Sequence, residues 1–268
     1  MSKGEIMRRL HVLAAVVMIC GILPGVAKAS ETVSLAATFT PNRPGADATV
    51  VFSVKIGTTT GQVPSPITHM NVKYPAGLSF VSSTLGLATC SQAALEEFGL
   101  EGCSPNAQIG VGAATVELPL GPSEVFSESA RTIALLGSSS PGRLGVLFLA
   151  IGDSPVRAEF VFPTEIQSGS ESPGPYGIQL DAPVSPIPGI PGGPNISVVS
   201  FSSGIGPMDL TYYKRSHGKT VAFHPKGITI PKICPRQGFP FAASFSFEDG
   251  TEVAASATVH CASPSHRR

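Results

Sequence analysis

Cysteine is the residue type whose number and spacing carry the most chemical information in this chain. Cys90 and Cys103 bracket the segment "CSQAALEEFGLEGC", and Cys234 and Cys261 bracket a second stretch. Paired thiols can ligate zinc, cycle as a redox couple, supply a nucleophile or join as a covalent staple. No CxxC or HxxxH spacing accompanies them, so structural zinc lacks its usual frame. Cys20 lies in the apolar N-terminal segment and leaves with it. The remaining four cysteines imply two disulfides, for which three connectivities exist. Pairing of sequence neighbours, Cys90 with Cys103 and Cys234 with Cys261, is the simplest.

Other reactive residue types lack the company that chemistry requires. Ser216-His217-Gly218-Lys219 has the S-x-x-K spacing of a serine nucleophile with a lysine base. The S-D-N and K-T-G elements that complete such a site are missing, and the segment reads as a basic turn. Gly218-Lys219-Thr220 resembles the end of a phosphate loop, but Tyr213 stands where its first glycine belongs. There is no G-x-S-x-G elbow. His69, His217, His224, His260 and His266 are scattered, and His69 and His260 fall on polar strand faces. Glu96, Glu97 and Glu101 lack the D-x-D-x-D-G frame of a calcium loop and read as a solvated helix face. Asn195-Ile196-Ser197 is a formal glycosylation sequon. The expectation is a protein that is not an enzyme and holds no metal or cofactor.

The first 29 residues have a signal-peptide pattern. Lys3, Arg8 and Arg9 precede an apolar run from Leu10 to Leu23, and Ala27-Lys28-Ala29 is a small-x-small cleavage site. An exported chain cut near Ala29, secreted or held at the cell surface, is expected, with no membrane span in the mature part. Without the leader, fourteen basic and seventeen acidic side chains remain. Their distribution is uneven. Residues 30–213 carry six basic and fourteen acidic groups, whereas 214–268 carry eight basic and three acidic. Lys214, Arg215, Lys219, Lys226, Lys232 and Arg236 therefore form a candidate polyanion-binding set. Its partner would be a cell-wall polymer or an extracellular glycan; nothing in the charge calls for nucleic acid.

The elements that must position these residues are strands. The chain is 42% hydrophobic and 13% charged, with 29 Gly and 25 Pro, a mixture that favours short strands and frequent turns. Alternation with period two recurs in "ATVVFSVKI", "THMNVKY" and "VRAEFVF", while "RLGVLFLAI" is apolar on both faces. About a dozen strands of this kind predict a mainly β fold of antiparallel, Ig-like sandwiches. One helix is expected near 91–99, capped by Ser91 and stopped by Gly99, with Leu95 and Phe98 pressing on a sheet and the staple holding it as a lid. Residues 30–213 form the sandwich region; 214–268 form the basic segment and a terminal hairpin packed on the same sandwich. In that hairpin a three-residue loop, Glu248-Asp249-Gly250, keeps the phenylalanines of 239–247 on one face with Val253 and Val259. The stretch "APVSPIPGIPGGPN" reads as a stiff inter-strand loop. Tyr212-Tyr213 is the one conspicuous aromatic pair that could serve a carbohydrate-binding module; a hydrolase with an unrecognised site is the remaining alternative.

Three blocks add a resemblance. "YPAGLSF" (74–80), "CSQAALEEFGLEGCSPNAQIGVGAATVEL" (90–118) and "PKICPRQGFPFAASFSFEDGTEVAASATVHC" (231–261) resemble segments of secreted, cysteine-paired β-sandwich proteins of actinobacteria. Ser104, between Cys103 and Pro105, departs from that pattern. The resemblance implies export, a sandwich and sequential disulfides, and it implies no catalytic residue.

Overall fold

The structure, a computed structural model, describes residues 30–261 apart from 81–83, 122–123, 142, 155–156, 169–173 and 190–191. The signal segment, Val156, His266, Arg267 and Arg268 lie outside the described residues. Fifteen elements follow one another: β1 (Glu31–Thr40), β2 (Asp47–Thr58), β3 (Ile67–Pro75), α1 (Gln92–Phe98), β4 (Gln108–Pro119), β5 (Val125–Leu136), β6 (Arg143–Ser154), β7 (Ala158–Ser168), β8 (Tyr176–Pro183), β9 (Ser197–Ile205), β10 (Tyr212–Ser216), β11 (Lys219–Phe223), β12 (Ile228–Thr229), β13 (Phe239–Phe247) and β14 (Glu252–Val259). The expected sandwich is overturned. Eleven strands form one antiparallel sheet, in the order β1-β2-β9-β4-β5-β6-β7-β8-β3-β13-β14, which curls until its two ends meet as a nearly closed barrel. Alternating strands with one apolar face suit either architecture. Long-range pairing decides between them: β9 inserts between β2 and β4, and β3 joins β8 to β13.

Every neighbouring pair along the path is antiparallel. With eleven strands so paired, the first and last, β1 and β14, run in the same direction. They lie side by side without a ladder between them, and this is the seam of the barrel. At one end of the barrel this seam is tied. Ile228 and Thr229 pair with Ala48 and Asp47 of β2, and Cys234, just beyond, is bonded to Cys261 at the end of β14. The Asn42 side chain donates to the His260 carbonyl at 2.8 Å across the same gap.

Leu78 and Leu85, between β3 and α1, and Tyr212, Ile228 and Ile230, between β9 and β13, fill the interior at this end. The Tyr212 hydroxyl donates to the Gln108 carbonyl and accepts from the Gly86 amide at 2.8 Å. Helix α1 starts where the sequence places it: the Ser91 hydroxyl accepts from the Ala94 amide at 3.2 Å, and Gly99 ends the helix at φ 58°. Its position and one of its contacts differ from expectation. Leu95 is buried in one cluster with Ile133, Leu135, Leu147, Leu149 and Ile151, on which Val161 also packs, so the helix covers the outside of β5, β6 and β7 and is not an end lid. Phe98 is 59% exposed and does not press on the sheet. This arrangement accounts for the two-faced apolarity of β6: Val146 and Phe148 belong to the interior core, while Leu147, Leu149 and Ile151 lie under the helix.

The terminal hairpin has the expected register. Phe245 faces Val253, the Phe247 amide donates to the Thr251 carbonyl, and Gly250 has φ 84°. Both disulfides join sequence neighbours, Cys90–Cys103 and Cys234–Cys261, and fit an oxidising, extracellular setting.

Candidate functional site

An eight-stranded barrel has an interior just wide enough for its side chains to fill, and additional strands widen it. Eleven strands must therefore be filled by large residues or leave a hollow. Toward the end that Leu78 and Ile228 fill, Phe52, Val72, Tyr74, Phe148, Phe201 and Leu180 leave only about 50 Å³. Toward the opposite end the interior opens into a cavity of about 340 Å³.

The hollow has a definite origin in the register. Ala114 of β4 lies opposite Ala130 of β5, Ala130 opposite Gly152 of β6, and Gly152 opposite Ala158 of β7. Four small residues thus run across four adjacent strands, and all four line the cavity. Ala150 and Ala182 extend the small surface; Met70, Phe148, Phe160, Phe162, Phe201 and Phe245 supply larger apolar walls. The wall of β4 is also drawn close to β9 beside this region. A Cβ on Gly112 would collide with the Ser202 carbonyl and stand 2.6 Å from Thr132 Oγ1.

Of the proline-rich stretch, residues 184–189 and Ile196 line the cavity at its outer end. Pro186, Ile187, Pro188 and Gly189 line it, and a Cβ on Gly189 would press into Leu118. This strap folds back on itself through Ile196 amide to Ile187 carbonyl, at 2.8 Å. The Asn195 amide donates to both Glu248 carboxylate oxygens, at 2.9 and 3.1 Å, and Ser197 donates to the Pro64 carbonyl. The stiff loop expected from its composition is therefore a pinned cover.

Glu128 is 9% exposed and Thr132 is 3% exposed, and both line the cavity from β5. Glu128 Oε1 and Thr132 Oγ1 are buried with no hydrogen-bond partner among the described residues. Another lining hydroxyl, Thr164, donates to the Val146 carbonyl at 2.9 Å. Among the described residues the cavity wall includes no Lys, Arg or His.

The residues singled out in the sequence lie elsewhere. Lys214 and Lys219 share one face of the protruding β10–β11 hairpin and Arg215 is on the other, since Lys214 pairs with Val221, Arg215 with Thr220 and Ser216 with Lys219. The Lys214 ammonium lies 5.0 Å from the centroid of Phe223. Lys226, Lys232 and Arg236 are exposed along the following excursion, where the Lys226 amide donates to Thr84 and the Lys232 stem lies beside Gly45. Ser216 to Lys219 form the turn of that hairpin, with His217 at φ 50° and Gly218 at φ 76°. Tyr212-Tyr213 is no aromatic platform: Tyr212 is fully buried and Tyr213 is 52% exposed. His69 is held on the outer barrel face by Asp181, at 2.8 Å. Among the described residues no group of three or more His, Cys, Asp or Glu side chains is placed to hold a metal.

The outward faces of the two seam strands carry small polar residues, Thr32, Ser34 and Thr38 of β1 and Ser256 and Thr258 of β14. No described helix is long and apolar enough to cross a membrane. Comparison with family models, with curated proteins and with solved structures finds no match to this chain.

Proposed function

We propose that this is an exported, non-enzymatic binding protein, secreted or retained at the cell surface after cleavage near Ala29, that carries an apolar small molecule inside its barrel. The cavity of about 340 Å³ is the observation that supports this reading most. An apolar cavity of about 150 Å³ already binds benzene, and pockets of roughly 300–1,000 Å³ are the usual range for small ligands. Burial of apolar surface contributes about 25 cal/mol per Å², so a ligand filling this hollow gains most of its affinity from walls and little from polar contacts.

The test is binding of the neutral fluorophore N-phenyl-1-naphthylamine to the mature chain. Saturable enhancement at one site, abolished by Ala130→Phe, supports the reading. Absence of saturable enhancement, or binding indifferent to Ala130→Phe, rejects it.

A second reading concerns the exposed β10–β11 hairpin. Lys214, Arg215 and Lys219 project from it, which favours weak retention on an anionic wall polymer or extracellular glycan, with Lys226, Lys232 and Arg236 as flanking charge. Exposed charges are screened beyond about 8 Å at physiological salt. Retention on a sulfated-polymer column should therefore fall as salt rises and fall further when the three hairpin charges are neutralised. Retention unaffected by either change counts against it.

A further inference from the structure

The polar groups inside the cavity narrow the class of ligand, an inference that rests on the reading of the cavity as a binding site. Glu128 lies on the inward face of β5, two residues from Phe126 and two from Ala130, with the cavity in front of it. Its Oε1 has no hydrogen-bond partner among the described residues. An unpartnered buried polar group is costly, and a charged one more so. An ionised carboxylate offers acceptors only, so its natural complement is a donor. Among the described residues none that lines the cavity is Lys, Arg or His, and the wall contains a second carboxyl residue, Glu117. A fatty-acid carboxylate, itself an acceptor, would find no basic partner among them.

Thr132 marks a second polar point on the same strand face. Four residues of strand place it about 13 Å from Glu128 along β5. Between them lies Ala130, at the centre of the small-residue belt. An apolar body can therefore rest on the belt while one end reaches the carboxylate.

We infer that the ligand is an amphiphile whose polar end is a hydrogen-bond donor, a hydroxyl or an amine, received by Glu128, and that amphiphiles ending in a carboxylate are rejected. Glu128 acts here as a specificity-determining residue of the cavity. The hydroxyl and amine share one recognition chemistry, a donor aimed at Oε1, and differ in the charge they bring.

The experiment is displacement of N-phenyl-1-naphthylamine from the mature, disulfide-bonded chain by four compounds of similar chain length: dodecanol, dodecylamine, dodecanoate and dodecyl methyl ether. Dodecanol or dodecylamine should bind about tenfold or more tightly than the ether and the carboxylate, the worth of one buried hydrogen bond. Preference for the amine over the alcohol assigns a cationic head; the reverse order assigns a neutral one. Glu128→Leu should erase the preference, so that the ether binds at least as well as the alcohol. Glu128→Gln, which keeps the shape, should cost the amine more than the alcohol and serves if the leucine variant fails to fold. Equal displacement by all four compounds overturns the head-group inference and leaves the apolar cavity reading standing. The same holds for tighter binding of dodecanoate, or for a ranking unchanged in both Glu128 variants. No fluorophore binding, or no displacement by any compound, overturns both.

Discussion

Ala130 of β5 stands opposite Gly152 of β6, and both line the hollow of the barrel. With Ala114 and Ala158 on either side they replace what would otherwise be four large side chains in a filled interior. Unfilled volume in a core is destabilising, by roughly 24 cal/mol per Å³ in a well-studied series. A wall built this way is a standing cost that ligand binding can offset. Ala130→Leu should therefore stabilise the ligand-free protein by about 1 kcal/mol, read as a higher urea midpoint. A clear loss of stability would mean that the interior at this point has no room.

The seam gives a second prediction. Cys234 follows the short strand paired to β2, and Cys261 ends β14, so their bond ties the two sides of the opening. Cys234→Ser with Cys261→Ser should cost roughly 3 kcal/mol. Amide exchange should accelerate first in β1 and β14. Uniform acceleration around the whole barrel would contradict a local role at the seam. The native protein should also show no thiol that alkylates without reductant.

At the tip of the last hairpin, Gly250 occupies the left-handed region at φ 84° and no atom lies within 4 Å of where a Cβ would stand. Strain there is therefore conformational and not steric against neighbours. Gly250→Val should cost about 1–2 kcal/mol. Asp249→Ala should cost less, although it removes the carboxylate that accepts from the Thr251 amide and hydroxyl at 2.9 Å. Equal urea midpoints for the two variants would argue against this turn.

Tyr74 and Tyr212 link stability to alkaline pH. Burial raises both phenols above their ordinary value, with the Gly86 hydrogen bond opposing this in part at Tyr212. A raised folded value means the stabilising contribution is complete below the unfolded phenol range, about 10. It is lost as pH climbs above that range. Phenolate absorbance from these two residues should appear only together with loss of β-sheet circular dichroism. Full phenolate signal in a folded protein would contradict their burial.

Much of the local structure was legible in the sequence. The Ser91 cap, the Gly99 stop, the Glu248-Asp249-Gly250 loop and both disulfide pairs follow from residue chemistry acting over a few positions. The inward faces of β2, β3 and β7 were likewise visible as alternation. The barrel was not, because alternation states which face is buried and not which strands are neighbours. The cavity depended on that missing information. Ala114, Ala130, Gly152 and Ala158 are unremarkable one at a time and become a wall only when the pairing aligns them. Glu128 was likewise hidden: within "VFSESARTIALL" it sits at an alternate position with Phe126 and Ala130, and only the closed sheet turns that face inward. Phe98 misled for the opposite reason: its helical spacing from Leu95 suits packing, yet it stays 59% exposed.

The central claim, that the barrel interior receives one apolar molecule, is tested most directly by native mass spectrometry of the mature chain with dodecanol. One bound molecule per chain is predicted, with the complex lost in Ala130→Phe while the variant keeps its β-sheet circular dichroism and both disulfides. No bound species, several bound species of equal weight, or a complex that persists in Ala130→Phe would contradict it.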